Sequence, residues 1–228
     1  MKHRFLLTAI AVVAAGAANA TLFTDPMNDQ GPTNGGGAGF PHLDITAVNV
    51  TNTASTITFA FTLQGDIAAT NWGKYGVVFR NLSNATVDNG ANNNAWGRSG
   101  HLSGGANGWI GSWVDSGGGA QAWTYNGAWN LNNGAIAPTL SQFGTSITVN
   151  LSDLGLALGD TIIFDAVTTA NGGSDTMTDS LTGATPAEWS TVVDMTGNTY
   201  VLQAVPEPAT MTLFAGAAAL AALRRRKK

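Results

Sequence analysis

The sequence contains no cysteine, and only 11% of its 228 residues are charged. Disulfides therefore cannot stabilise the fold, and stability must come from a packed core or from bound ions. Positive charge is scarcest in the middle of the chain, where Lys74, Arg80 and Arg98 are the only lysines and arginines between residues 21 and 204. Because these three cannot form a basic patch, nucleic acid is not expected as a partner.

Residues 21–204 also contain thirteen of the fourteen acidic residues. Their formal charge is three minus thirteen, or −10, whereas the whole chain has a net charge of −4. The segment is long enough to form one domain with its own core. Its composition suits cations or neutral sugars as ligands.

The first residues have the three parts of a secretory signal peptide. Lys2, His3 and Arg4 precede an apolar stretch at residues 5–18, and the sequence Ala18-Asn19-Ala20 follows. A basic start, a hydrophobic middle and an A-x-A ending are typical of such a peptide. We therefore predict a signal peptide over residues 1–20, which signal peptidase removes after Ala20.

The last residues form a second three-part pattern. Pro206 and Pro208 flank Glu207, and prolines without backbone N–H groups end a folded domain at this point. The uncharged residues 209–223 follow, and a helix of this length would measure about 22 Å, short of a hydrocarbon core of about 30 Å. The pattern ends in five basic residues, Arg224, Arg225, Arg226, Lys227 and Lys228. These should stay cytoplasmic, which leaves everything upstream on the far side of the membrane.

This order of proline-rich hinge, short apolar helix and arginine-rich end resembles the PEP-CTERM sorting signal of Gram-negative bacteria that make exopolysaccharide. The resemblance implies an inner-membrane anchor over residues 205–228 that is transient. It also implies that an exosortase, a membrane-embedded transpeptidase-like enzyme, removes this anchor. A permanent C-terminal anchor is the alternative.

Between the two ends, the pattern of apolar residues indicates strands. In residues 55–63 the large apolar side chains fall on every second position, and Ile147, Val149 and Leu151 repeat this alternation. Further strands are predicted at residues 44–50, 75–80, 108–114, 120–126, 161–168 and 199–203, with a short turn at 152–155. Separated by loops rich in glycine and asparagine, these strands predict one all-β domain over residues 21–204, an antiparallel, jelly-roll-like β-sandwich.

The start of this domain resembles a second family. Residues 25–32 read Asp-Pro-Met-Asn-Asp-Gln-Gly-Pro, and a glycine loop, residues 40–45, two strands and Trp72 follow. This opening is similar to β-sandwich modules related to family-9 carbohydrate-binding modules and to the glucodextranase C-terminal domain. The resemblance implies a jelly-roll-like sandwich, often with structural calcium and a tendency to bind sugars. The glycine-rich middle of the chain departs from that family.

Two groups of aspartates are candidate calcium ligands. Asp25, Asp29 and Asp44 flank one glycine-rich loop, and Ca²⁺ takes six to eight oxygen ligands from carboxylates and loop carbonyls. Their spacing is not that of an EF-hand, and the alternative is that they only form turns. A second candidate group is Asp160, Asp165, Asp175 and Asp179.

Aromatic residues are concentrated in about thirty-five residues: Trp96, Trp109, Trp113, Trp123, Tyr125 and Trp129. Strand periodicity places Trp109 and Trp113 on the same side of their strand. Flat indole rings can stack on sugar rings, so a sugar platform is one hypothesis, with Trp109, Trp113, Trp123 and Trp129 as its members. The alternative is that these side chains fill the core of the sandwich, because aromatic residues bury large apolar areas.

The sequence offers little support for catalysis. His42 and His101 stand alone without the spacing of a zinc site, and no serine lies in a Gly-x-Ser-x-Gly turn. We therefore expect an exported, non-enzymatic protein with a structural or adhesive role at the cell surface or in the exopolysaccharide matrix. A carbohydrate-binding protein is the alternative. A polysaccharide hydrolase comes third, with Asp88 and Asp115 or Glu188 and Asp194 as carboxylate pairs.

Overall fold

The computed structural model describes residues 19–31, 39–170, 172, 175–183 and 191–204. These residues form strands and short 3₁₀ helices, and no α-helix occurs among them. The strands are β1 (Asn19–Thr24), β2 (Ile45–Asn52), β3 (Thr56–Leu63), β4 (Lys74–Asn81), β5 (Gly100–Leu102), β6 (Gly108–Trp113), β7 (Gly119–Tyr125), β8 (Trp129–Ile136), β9 (Thr139–Ser141), β10 (Gly144–Asn150), β11 (Thr161–Thr169), β12 (Met177–Ser180), β13 (Val193–Met195) and β14 (Asn198–Val201).

Two antiparallel sheets make up the molecule. One has the strand order β1-β2-β3-β10-β9, and the other has the order β12-β11-β4-β6-β7-β8, with β14 also pairing with β11. A short parallel pair, β13 with β5, lies outside these two sheets. The predicted all-β, antiparallel sandwich is confirmed, and the predicted strands correspond to β2, β3, β4, β6, β7, β10, β11 and β14.

The main core fills the space between the sheets. Every second residue of β3 is buried, which places Ile57, Phe59 and Phe61 on the inner face. Phe79 and Phe164 face them from the other sheet, and the rings of Phe59 and Phe164 meet edge to face with centroids 5.5 Å apart. Each such aromatic or aliphatic side chain contributes about 1.5–3 kcal/mol when it is fully buried, so alternation along the strands fixes how the sheets stack.

A second apolar cluster lies on the opposite face of the larger sheet. Val78, Trp109 and Val167 point outward from β4, β6 and β11, and Leu102, Met177 and Met195 pack over them. The larger sheet is therefore buried on both faces near its centre. This explains why β4 is buried along almost its whole length and does not alternate.

The two predicted processing segments fall mostly outside the described residues. Residues 1–18 and 205–228, including Ala18, the Pro206-Glu207-Pro208 hinge and the predicted sorting helix, are not among them. Ala20 lies in β1, where it pairs with Thr51 of β2, so cleavage after Ala20 would leave residues 21–24 of that strand. Among the described residues, no helix has the length and apolar character needed to cross a membrane.

Candidate metal centre and aromatic strip

Four aspartates come together at one end of the sandwich, and we call them the acidic cluster: Asp25, Asp29, Asp44 and Asp179. Asp25, Asp29 and Asp179 each place a carboxylate oxygen within 4.8 Å of the others. Asp44 lies close enough for its charge to raise the pKa values of both Asp25 and Asp179. Asp25, Asp29 and Asp44 are the residues that the sequence suggested as calcium ligands, and the structure places Asp179 beside them.

The first three aspartates are positioned by a tight turn and a short helix. Asp25 directly follows β1, and its amide donates to the carbonyl of Thr46 at 3.1 Å. Asp44 follows the 3₁₀ helix Pro41–Leu43 and precedes β2. Asn28 has a left-handed backbone conformation (φ 68°), which aims its amide at Oδ2 of Asp44 at 2.6 Å. The turn after β1 is thereby held against the start of β2.

Asp179 comes from the other sheet. It lies in β12, and its Oδ2 accepts a hydrogen bond from the amide of Ile45 in β2 at 2.6 Å. Nearby, the amide of Gly31 donates to the carbonyl of Thr178 at 2.6 Å. The acidic cluster therefore lies where an edge strand of the larger sheet meets the turn and the strand of the smaller sheet.

Burial and mutual repulsion both oppose ionisation of the cluster. Burial, followed by the charges of Asp25, Asp29 and Asp44, raises the pKa of Asp179 to about 9. Burial and the neighbouring carboxylates Asp29, Asp165 and Asp44 raise the pKa of Asp25 to about 7. The pKa values of Asp29 and Asp44 are also raised, with burial as the main cause. Both effects favour protonation of these carboxylates or their neutralisation by a cation.

The three lysines and arginines of residues 21–204 are engaged elsewhere. Lys74 bonds to Asp115 with 2.6 Å between Nζ and Oδ1. Arg80 donates to the carbonyl of Gly104 at 2.8 Å, and the Arg98 guanidinium lies over the Trp96 ring, 5.8 Å from its centroid. Among the described residues, the charges that shift the pKa values of Asp25, Asp44 and Asp179 come from carboxylates.

Several oxygens around the cluster are buried and have no hydrogen-bond partner among the residues that the structure describes. Oδ2 of Asp25 and Oδ1 of Asp44 are two of them, and the Asp44 side chain has no exposed surface at all. Two neighbouring oxygens are also buried and have no described partner. They are Oε1 of Gln30, in the turn that carries Asp29, and Oγ1 of Thr178, next to Asp179. A buried acceptor left unpaired costs about 1–3 kcal/mol, so such groups normally find a partner. A hard divalent cation would supply one, and an all-oxygen ligand set suits Ca²⁺.

The second predicted group of aspartates does not form a site of its own. Asp179 joins the acidic cluster, and Asp165 is buried beside it, bonded to the hydroxyl of Thr182. Asp160 instead accepts hydrogen bonds from Asn81 and Ser83. Asp175 accepts from the amide of Gly172. The prediction of a separate site is therefore wrong, because Asp160 and Asp175 bond to other groups, away from Asp165 and Asp179.

One residue of the aromatic cluster predicted from the sequence is fully buried, and the others are partly exposed. Trp109 has no exposed surface and belongs to the second apolar cluster. It therefore cannot offer a ring face to a sugar, and the hypothesis that Trp109 is part of a sugar platform is wrong. The others are partly exposed, and we call them the aromatic strip: Trp96, Trp113, Trp123, Tyr125 and Trp129. They lie on or over β6, β7 and β8.

Hydrogen bonds fix the orientation of the rings in the strip. Nε1 of Trp96 and Nε1 of Trp123 both donate to Oε1 of Gln121 at 3.2 Å, and Nε1 of Trp129 donates to Oδ2 of Asp88 at 2.8 Å. The Tyr125 and Trp129 rings contact each other with centroids 5.5 Å apart. The indole N–H groups are thus satisfied inside the protein.

Glycines provide the surface on which two of these rings lie. A Cβ atom on Gly111 would stand 2.2 Å from the Trp96 ring, and one on Gly119 would stand 2.4 Å from the Trp113 ring. The rings therefore lie flat against bare backbone. In the sequence Gly-Trp-Ile-Gly-Ser-Trp of β6, Gly111 leaves room for the Trp96 ring, whereas Gly108 leaves room for the Phe79 ring of the main core.

Each candidate catalytic group that the structure describes has a structural partner. His42 is buried, its pKa is lowered by burial, and its Nε2 lies 3.2 Å from the hydroxyl of Thr70. His101 contacts Asp194 at 3.3 Å. Asp115 pairs with Lys74, and Asp88 accepts from Trp129, as described above. Glu188 lies outside the described residues.

Comparison with known proteins bears on the other end of the chain. Residues 204–227 match the PEP-CTERM protein-sorting motif. The match spans the hinge Pro206-Glu207-Pro208, the apolar run and the basic residues Arg224, Arg225 and Arg226. The PEP-CTERM signal marks an exported protein that an exosortase processes and whose C-terminal segment is held in the membrane only transiently. No curated protein and no solved structure gives a significant match, so no relative supports the resemblance to carbohydrate-binding modules.

Proposed function

We propose that the PEP-CTERM signal delivers this β-sandwich to the cell surface or exopolysaccharide matrix of a Gram-negative bacterium, where it acts as a calcium-stabilised, non-enzymatic structural or adhesive protein. The PEP-CTERM motif at residues 204–227 supports export and processing by an exosortase. The acidic cluster is the observation that supports the role, because it brings carboxylates from both sheets together where Asp179 bonds to Ile45.

Calcium fits both the chemistry and the destination. The cluster supplies oxygen ligands from Asp25, Asp29, Asp44 and Asp179, and extracellular modules commonly bind Ca²⁺ with dissociation constants of about 10⁻⁴–10⁻³ M. A bound cation would neutralise carboxylates on β12 and on the turn before β2 and so join the edges of both sheets. In a chain without cysteine, this link would take the place of a disulfide.

Fractionation of producing cells tests the proposed destination. We would compare the full-length protein with a Pro206→Ala, Glu207→Ala double variant, and use Pro138→Ala, between β8 and β9, as a matched control. The wild type and the control should reach the surface or matrix fraction, and the double variant should stay in the inner membrane. If the double variant reaches the matrix as efficiently as the wild type, the proposal fails.

Polysaccharide binding is a second candidate function, and the partly exposed aromatic strip favours it. Hydrolysis has no comparable support, because Asp88 and Asp115 are bonded to Trp129 and Lys74. Incubation of the purified protein with the producer's polysaccharide, followed by measurement of reducing ends, would detect any turnover.

A further inference from the structure

We propose that the aromatic strip binds a neutral polysaccharide chain, which lies along β7 with its sugar rings against Trp113, Trp123, Tyr125 and Trp129. This inference rests on the proposed function, since it names the matrix component that the protein would contact. Three observations support it: the rigidity of the rings, the shape of the strip and the scarcity of charged residues in the strands that carry it.

The rings are held in place before any ligand binds. Gln121 accepts hydrogen bonds from two indoles and Asp88 from a third, so these tryptophans cannot turn freely. Trp113 lies against Gly119, which fixes the fourth ring. A preorganised aromatic face loses little side-chain entropy on binding, because the ordering cost has been met during folding.

The strip is long and narrow. Trp113 pairs with Gly119 at one end of β7, and Tyr125 stands at the other end beside Trp129. Six residues separate the two ends of β7, which at about 3.3 Å per residue gives a track of roughly 20 Å. Such a track suits an extended polymer better than a single small ligand.

The surroundings of the strip favour an uncharged ligand. Residues 116–152 contain no lysine, arginine, aspartate or glutamate, and they include Trp123, Tyr125 and Trp129. The remainder of residues 21–204 has the net negative charge calculated above, which would repel an anionic polymer. Gln121, beside the rings, also carries a side-chain NH₂ group, which can donate hydrogen bonds to hydroxyls.

Affinity electrophoresis of the purified protein would test this inference. The gels would contain the neutral fraction of the producer's exopolysaccharide, obtained by anion exchange, or alginate as an anionic polymer. The neutral gel should retard the protein and the alginate gel should not. Tyr125→Ala and Trp129→Ala should each weaken binding about tenfold, the factor that corresponds to about 1.4 kcal/mol. Trp72→Ala is the matched control, because Trp72 is partly buried but packs against Phe40 and His42, away from the strip.

The outcomes separate this inference from the proposed function. Melting temperatures of the variants show which of them are folded. If Trp129→Ala does not fold, Tyr125→Ala provides the test of binding. Absence of retardation in the neutral gel, equal binding to alginate, or unchanged binding by the folded strip variants would overturn the inference. So would recovery of a protein partner that competes for the strip while the neutral polymer does not. Fractionation of cells would still report on the destination in each of these cases.

Discussion

Removing calcium should lower the melting temperature of the purified protein by several degrees. The acidic cluster brings four aspartates together, and three of them place oxygens within 4.8 Å of one another. Calcium would bind the folded state, where these carboxylates converge, in preference to the unfolded chain, where Asp179 is far in sequence from the other three. Binding to the folded state alone raises stability by mass action.

The size of the shift follows from the affinity. At a calcium concentration one hundred times the dissociation constant, the gain in the free energy of unfolding is about 2.7 kcal/mol. For a domain of about 180 residues, 1 kcal/mol changes the melting temperature by about 2–4 °C. The expected difference between excess calcium and EDTA is therefore about 5–11 °C, measured by differential scanning calorimetry at pH 7.5.

Two variants test the reasoning behind this shift. Asp179→Asn removes a buried carboxylate whose pKa is raised, so it should abolish the calcium response while leaving the EDTA-treated protein at least as stable as the wild type. Asp194→Asn is the control, since its side chain is 82% exposed and lies outside the cluster. If the wild type melts at the same temperature with calcium and with EDTA, or if Asp179→Asn retains the full response, the metal centre is refuted.

Three further predictions follow from the same structure. In the calcium-free protein the pKa values of Asp25 and Asp179 lie above those of the unfolded chain, so the folded state binds more protons. The free energy of unfolding, measured by urea denaturation, should therefore fall as pH rises from 5 to 9. An increase in that free energy over this range would contradict the prediction. Gly108→Ala would place a Cβ atom against the buried Phe79 ring and should cost about 1–3 kcal/mol, whereas Gly134→Ala on β8, with its nearest neighbour at 3.4 Å, should stay within about 0.5 kcal/mol in the same assay. The purified protein should release no reducing ends from the producer's polysaccharide, and steady turnover would show instead that it is an enzyme.

The inner and outer faces of several strands could be predicted from the alternation of apolar residues. β3 places an apolar residue at every second position, and its inner and outer faces follow directly from that pattern. β8 was missed, because Trp-Asn-Leu-Asn-Asn-Gly-Ala-Ile is rich in residues that are rare in strands. It is a strand because it pairs with β7, and that contact cannot be seen in its own sequence.

The candidate sites depend on contacts that are distant in sequence, which is why they were only partly predictable. Asp25, Asp29 and Asp44 were grouped because they flank one loop. Asp179 reaches them through its bond to Ile45, 134 residues away in the chain. Trp109 and Trp113 lie on one side of β6, as predicted, but packing in the second apolar cluster and against the Trp96 ring buries the first and leaves the second partly exposed.

Native mass spectrometry of the protein recovered from the extracellular matrix tests the central claim most directly, because one spectrum reports processing and metal content together. We predict a species that lacks residues 1–20 and the basic end Arg224–Lys228 and that carries bound calcium, which EDTA removes. A matrix species that retains Arg224–Lys228 would contradict sorting by the PEP-CTERM signal. A processed species without calcium, in a buffer that contains millimolar calcium, would contradict the metal centre.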